Sequence, residues 1–289
     1  MKKRFGDRYD GRRVRHSDPT NMIIPFIMRE RNDAEVFFDA EVNMSRIDEL
    51  IREKRKNGEE ARTLDYIIAI IVRTISQYPR MNRFIAGRRC FARDNILISM
   101  VIKRELNTHT PETAVKFEFD PKSTVSDISK KIDETIEKTK QKDDVNSTDK
   151  LMKTLNVLPR CLFSFAIWFM RFTDFYGVLP KAVHNASPFH TSVFITNMGS
   201  IGAEPIYHHI YNFGSTSLFI AMGNKRKQRV IGKDGKIQER KVMKLRFVAD
   251  ERIADGYYLA VALKYFSNLF EHPELLEAPP ENVVEDDQI

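Results

Sequence analysis

Apolar residues recur at helical spacing in two distinct styles. Leu64-Asp-Tyr-Ile-Ile-Ala-Ile-Ile-Val-Arg-Thr-Ile-Ser76 is apolar nearly all round, which predicts a buried helix capped by Thr63 and stopped by Pro79. Residues 123–142 behave differently: Val125, Ile128, Ile132 and Ile136, three or four apart, make one narrow stripe on a charged helix. Further helices are predicted over 46–56 behind a Ser45 cap and closed by Asn57-Gly58, over 149–155, over 159–176 ahead of Gly177, and over 257–270 ahead of Pro273. Branched and aromatic runs predict strands at 36–42, 90–91, 96–103, 114–119, 191–197 and 215–222. A Lys233-Asp-Gly235 turn is expected to set 229–231 against 242–248 as a hairpin. Strands in several regions with helices between them predict a mixed α/β sandwich, and the chain shows neither an internal repeat nor a low-complexity linker. One domain over 35–270 follows, with a basic leader over 1–34 and an acidic tail over 271–289.

Composition narrows the class. The chain has 289 residues, 42% hydrophobic, which suffices for a sizeable core and argues against disorder. Two cysteines, Cys90 and Cys161, read as buried small hydrophobes in a reducing, cytoplasmic compartment. No close-spaced set of four Cys/His ligands is present, so no metal is expected. The greasiest stretch, 161–170, is bracketed by Arg160 and Arg171 and is too short for a membrane span, which takes about 20 residues. Net charge is +7, but the tail holds seven acids and no Lys or Arg, leaving +14 on the rest. Such an excess attracts nucleic acid, an anionic membrane or a phosphorylated cofactor such as coenzyme A. The short basic run Lys225-Arg-Lys-Gln-Arg229 lacks the aromatic platforms or reading helix that nucleic-acid recognition uses, so no nucleic-acid partner is expected.

Candidate chemistry lies in two segments. Asp250-Glu-Arg-Ile-Ala-Asp-Gly256 places three acids and an arginine at a strand-to-helix junction; read from charge alone, it is a polar turn with Arg252 paired to a neighbouring carboxylate. Ser192-Val-Phe-Ile-Thr-Asn-Met-Gly-Ser-Ile-Gly202 delivers Thr196 and Asn197 from a buried strand into a glycine-bearing turn without the spacing of a phosphate loop. Together they resemble the dihydrolipoyl acyltransferases of the 2-oxo acid dehydrogenase complexes. The second segment is similar to their "TxTISNLGxxG" strand, Ser217-Leu-Phe-Ile-Ala-Met-Gly223 to their "ailavG" strand, and the first to "DHRxxDG". Tyr78-Pro-Arg-Met-Asn82 resembles their "P-x-x-N". Chloramphenicol acetyltransferase, of the same fold, carries a related "HHxxxDG".

The resemblance spans residues 35 to 270. It implies a two-layer chloramphenicol-acetyltransferase-like α/β sandwich with a mixed sheet, assembled as a homotrimer with its active site in a channel between subunits. Coenzyme A or acyl-CoA is the implied substrate, opposite a thiol or hydroxyl acceptor, with no metal. Carried over, Thr196 falls on the oxyanion donor and Asp255 on a structural ion pair, with Arg252, Gly256 and Asn197 supporting the site. The family's catalytic histidine is replaced by Glu251. With ordinary pKa values near 4.3 and 8.5, a glutamate takes a thiol proton uphill by about 5–6 kcal/mol, against about 3 for histidine. A carboxylate also needs external donors to hold it, whereas an imidazole is oriented through its second nitrogen.

His190, His208 and His209 are the histidines nearest these segments and read as structural or surface residues. No lipoyl domain is recognisable, so no lipoyl group is expected on the chain. The aromatic run Phe163, Phe165, Trp168, Phe169, Phe172, Phe175 and Tyr176 stands outside the family pattern and is expected to be core or subunit contact, or else a partner- or membrane-surface helix. Two functions follow as expectations. One is a stand-alone, coenzyme-A-dependent acyltransferase using Thr196 and Glu251. The other is an inactive homologue serving as a trimeric scaffold or ligand-binding protein.

Overall fold

The computed structural model describes residues 3–103, 112–141, 157, 159–231 and 235–289. Six strands form a mixed sheet: β2 (Glu35–Asn43), β5 (Ile96–Lys103), β6 (Glu112–Phe119), β7 (Val193–Asn197), β8 (Leu218–Ile231) and β9 (Ile237–Asp250), in the order β2-β9-β8-β7-β5-β6. β7 runs parallel to both β5 and β8, and the remaining pairs are antiparallel. Helices α2 (Ser45–Lys56), α3 (Thr63–Gln77), α4 (Val125–Gln141) and α7 (Gly256–Glu271) complete the layer against one face.

Strand alternation decides what each face buries. Val193 and Ile195 of β7, with Leu245, Phe247 and Ala249 of β9, point into the main core, while Phe194, Phe219 and Val248 form a small cluster with Ile210 on the opposite face. α3 is buried along nearly its whole length, as its all-round apolar pattern requires. The α4 stripe holds too: Val125, Ile128 and Ile132 are buried against the core.

Three features differ from the sequence reading. A second, three-stranded sheet, β1 (Gly11–Arg13), β4 (Arg89–Arg93) and β3 (Arg83–Ala86), stands apart from the main one; only 90–91 was legible as strand. The β8–β9 hairpin is longer than expected. Arg229 faces Glu239, and 242–248 pairs instead with the earlier part of β8, as Val242↔Arg226 and Val248↔Phe219 show. The polar Lys225–Arg229 run had hidden that continuation because it is solvated. Ser45 opens α2 as its first residue, and its hydroxyl accepts from Lys241 N rather than capping the helix. The expected helix over 149–155 lies outside the described residues.

The described residues near both ends of the chain pack onto the sheets and helices. Arg8 is buried, and β1 joins the small sheet. In the acidic segment, Asp286 is buried and accepts from Arg83 Nε at 2.6 Å, and Glu277 accepts from Tyr66 Oη at 2.8 Å. By contrast the aromatic helix α5 (Arg160–Phe175) stands out from the body. Phe165, Trp168, Phe169 and Phe172 are about half exposed and Cys161, expected to be buried, is exposed on the same helix, so this helix is not core within one chain. A short helix, α6 (Lys181–Ala186), follows it, and α1 (Pro19–Ile27) lies near the chain start. Among the described residues no helix is long and apolar enough to cross a membrane.

Candidate functional site

β9 ends at Asp250 and α7 starts at Gly256, so the signature segment is the turn between them. Asp250 is fully buried and accepts from Arg252 Nε and Nη2, both at 2.7 Å, and from Arg252 N at 3.1 Å. Arg31 Nε approaches the same carboxylate at 3.6 Å. The two arginines tie in the segment before β2 and its surroundings: Arg252 Nη1 donates to Met28 O at 2.8 Å, and Arg31 donates to the carbonyls of Tyr211 and Ile85. The turn's buried pair is Asp250 with Arg252. Asp255, on which the resemblance puts a structural ion pair, caps α7, accepting from Tyr258 N at 2.9 Å, and its carboxylate lies 3.9 Å from Arg80 Nη1. Gly256 has open space where a Cβ would stand, so packing does not demand glycine there.

Glu251 is held by its backbone, whose N–H donates to Ala34 O at 2.9 Å, while its side chain is exposed and makes no hydrogen bond among the described residues. Thr196 is half-buried near the end of β7, level with Ala221 and Arg246. Asn197 caps the following turn, its Oδ1 accepting from Ser200 N at 3.1 Å. Gly199 is required there: a Cβ would come within 2.4 Å of Gly223 O. Register places Thr196 about five residues from Glu251 along the strand direction and two strands across, so about 20 Å apart within one chain. One protomer does not bring them together.

Two cavities flank the turn. One, of about 190 Å³, is lined by Arg13, Arg80, Arg83, Arg88, Arg89 and Arg252, with Asp255 as its only acid. The second, of about 330 Å³, shares Arg88 and Arg252 with the first and adds Arg29, Arg31 and Arg171. Arg83 and Arg252 are neutralised by Asp286 and Asp250, but Arg13, Arg88 and Arg89 have no ion pair among the described residues. Burial lowers the Arg13 pKa, and the charges of Arg89 and Arg15 lower it further while Asp7 opposes them. Arg88 occupies the second position of the two-residue β3–β4 turn at φ +58, a conformation that disfavours side chains other than Gly, Asn and Asp.

Residues 187–278 match the 2-oxoacid dehydrogenases acyltransferase (catalytic domain) family. A probable dihydrolipoamide acetyltransferase from Listeria monocytogenes superposes with a TM-score of 0.55 at 17% identity, covering 89% of this chain and 94% of that one. Azotobacter vinelandii dihydrolipoamide acetyltransferase gives 0.56 at 12%, covering 89% and 88%. The truncated catalytic core of the Thermoplasma acidophilum 2-oxoacid dehydrogenase multienzyme complex gives 0.53 at 14%, covering 89% and 97%. The chain has the fold of the 2-oxo acid dehydrogenase acyltransferase cores. No curated protein matches it in sequence.

Within this acyltransferase-core fold the three histidines nearest the motifs are engaged with partners of their own. His190 is fully buried, Nδ1 2.8 Å from Ser187 Oγ and Nε2 3.3 Å from Asp174. His208 stacks on Phe219, and His209 is exposed beside Glu35. The arginines of the cleft were missed by sequence reasoning. Their signal was the pair of Gly-Arg-Arg tripeptides at 11–13 and 87–89, although β1 pairs 11–13 with 91–93 of β4, two residues beyond the second tripeptide.

The buried histidine makes the fold acid-sensitive. Burial lowers the His190 pKa to about 4, whereas burial opposes the charge on Asp174 but His190 and Arg8 hold its pKa at about 2. Below the ordinary histidine range the unfolded chain takes up a proton at 190 that the folded chain refuses, so stability falls between about pH 6.5 and 4. Asp174 extends the loss: its contribution is present above about pH 4 and disappears as pH falls to about 2. Urea unfolding is expected to show about 3 kcal/mol lost between pH 7.5 and 4 through His190. Constant stability over that interval contradicts the assignment.

Proposed function

We propose that the chain is a stand-alone, coenzyme-A-dependent acyltransferase that works as a cytoplasmic homotrimer, moving an acyl group between coenzyme A and a thiol or hydroxyl acceptor. The observation that carries this reading is the arginine cleft beside the signature turn, with three guanidinium groups lacking carboxylate partners among the described residues. Coenzyme A presents a pyrophosphate and a ribose phosphate, and guanidinium N–H groups match phosphate oxygens in pairs. Thr196 of one protomer donates a hydrogen bond to the developing oxyanion, and Glu251 of the next accepts the acceptor's proton. Asp255, Arg252, Gly256 and Asn197 form and position the two turns. Their wide separation within one chain supports a shared, inter-protomer site, and the half-exposed aromatic face of α5 supports contact with a neighbouring copy.

Calorimetric titration with coenzyme A and its dephospho form tests this reading. Arg88→Gly removes a charge while relieving the positive φ, so it leaves thermal stability unchanged or higher. Both Arg88→Gly and Arg89→Ser are expected to weaken binding about tenfold, and the dephospho form to bind more weakly to wild type. Equal affinity in all three proteins removes the cleft from coenzyme A recognition.

An inactive trimeric scaffold or ligand-binding protein is the second reading, favoured by the exposed Glu251 carboxylate. With no donor among the described residues to hold and orient it, it lacks in the single chain what a working base needs.

A further inference from the structure

A cavity of about 460 Å³ opens away from the signature turn, between the N-terminal Tyr9-Asp10, the end of β4, β6 and α6. Its charge balance is uneven. Asp10 is committed to Arg8, whose Nε lies at 2.9 Å, and to His184 Nε2 at 3.2 Å. Asp94 is paired with Lys3 at 2.8 Å and Arg12 at 3.6 Å, and Glu118 accepts from Asn95 Nδ2. The acids on the wall are therefore engaged.

Neither Arg93, which lies over the Phe84 ring at 4.4 Å, nor Lys116 has a carboxylate at ion-pair distance among the described residues. Arg93 is only 5% exposed; its Nη2 donates to Ser215 Oγ at 2.8 Å and to the Ser215 and Thr191 carbonyls, while Nε and Nη1 have no partner among the described residues. Lys116 Nζ donates to His184 O at 2.9 Å and meets no carboxylate. The buried Tyr9 hydroxyl is also unpartnered. Arg93 Nε and Nη1 and the Tyr9 hydroxyl are three buried donor atoms without an acceptor among the described residues, at a cost in stability, and Lys116 Nζ beside them makes a single bond.

We propose that this cavity is a second binding site, for a small organic monocarboxylate held between Arg93, Lys116 and Tyr9. A carboxylate accepts several hydrogen bonds, enough for the three donors, and Leu97 and Phe117 leave apolar wall for a short tail. The nearby carboxylates of Asp10, Asp94 and Glu118 disfavour a doubly charged phosphate. Lys116 gives the site a distinct signature. Burial lowers its pKa to about 7, and the Arg93 charge adds to that effect while Asp10 opposes it, so the empty site leaves the amine partly neutral. Lys181 and His184 of α6 line the same wall, and Tyr9, whose phenol is pushed up by burial, stays protonated. A bound carboxylate draws a proton onto Lys116.

Calorimetry on the full chain with butyrate, benzoate and inorganic phosphate tests the site. Wild type is expected to bind the carboxylates saturably and to take up about half to one proton at pH 7.5, read from buffers of different ionisation enthalpy; affinity then falls close to tenfold from pH 8 to 9. Lys116→Met loses both the proton uptake and at least about tenfold in affinity, and Tyr9→Phe, which removes a single oxygen, weakens binding by about fivefold. Three results overturn the proposal: no saturable binding below about 10 mM, affinity indifferent to both substitutions, or phosphate binding as tightly as the carboxylates. None bears on coenzyme A in the arginine cleft, which the Arg88 and Arg89 variants report independently.

Discussion

Thr196→Val is expected to lower acyl-transfer turnover by about 10²- to 10³-fold while coenzyme A affinity stays within about twofold. The substitution keeps the shape and branching that suit β7 and deletes only a hydroxyl, which has no hydrogen-bond partner among the described residues. Its loss therefore strands nothing in the ground state. An oxyanion donor acts where charge develops, so the cost belongs in the rate rather than in binding. Steady-state kinetics with acetyl-CoA and a thiol acceptor separates the two. A loss in affinity at unchanged turnover removes Thr196 from the chemistry. Glu251→His on the same assay asks the complementary question, because an imidazole improves the match to a thiol by about two pKa units. A large gain marks an otherwise intact site, and no gain, with no coenzyme A bound, leaves the scaffold reading.

Asp250→Ala is expected to destabilise the protein by about 3–5 kcal/mol. The carboxylate is fully buried, accepts the bidentate fork of Arg252 and faces Arg31. Removing it leaves two buried guanidinium groups without their shared counter-charge, and desolvation then acts on both. The consequence reaches beyond the turn, since the same arginines hold the carbonyls of Met28, Ile85 and Tyr211. Adding Arg252→Met to Asp250→Ala is expected to recover part of the loss, because the second change removes one stranded charge. Chemical denaturation of the single and double variants measures the coupling, and a single variant within about 1 kcal/mol of wild type refutes it.

Elements whose pattern was continuous were legible in the sequence. α3 announced itself by apolar residues on every face, and α4 by Val125, Ile128 and Ile132. β3 was not, because four residues joined to β4 through Gly87-Arg88 offer too short an alternation. The far half of β8 was concealed by its lysines and arginines, which are exposed in the hairpin. For the site, the signature turn and Thr196 were visible as motifs, but two features depended on tertiary placement. One is the cleft, whose arginines come from positions 13 to 252. The other is the charge network of Arg8, Asp10, Asp174, His184 and His190, which only the fold assembles. Asp250 lies within the motif, yet nothing local in the sequence distinguishes it from Asp255 as the partner of Arg252.

At Gly87 an added Cβ would sit 2.5 Å from the carbonyl oxygen of Phe175, the last residue of α5. Any side chain at position 87 would have to push the end of α5 away from the β3–β4 turn, so glycine there is what lets the aromatic helix seat beside Arg88, which lines both cavities.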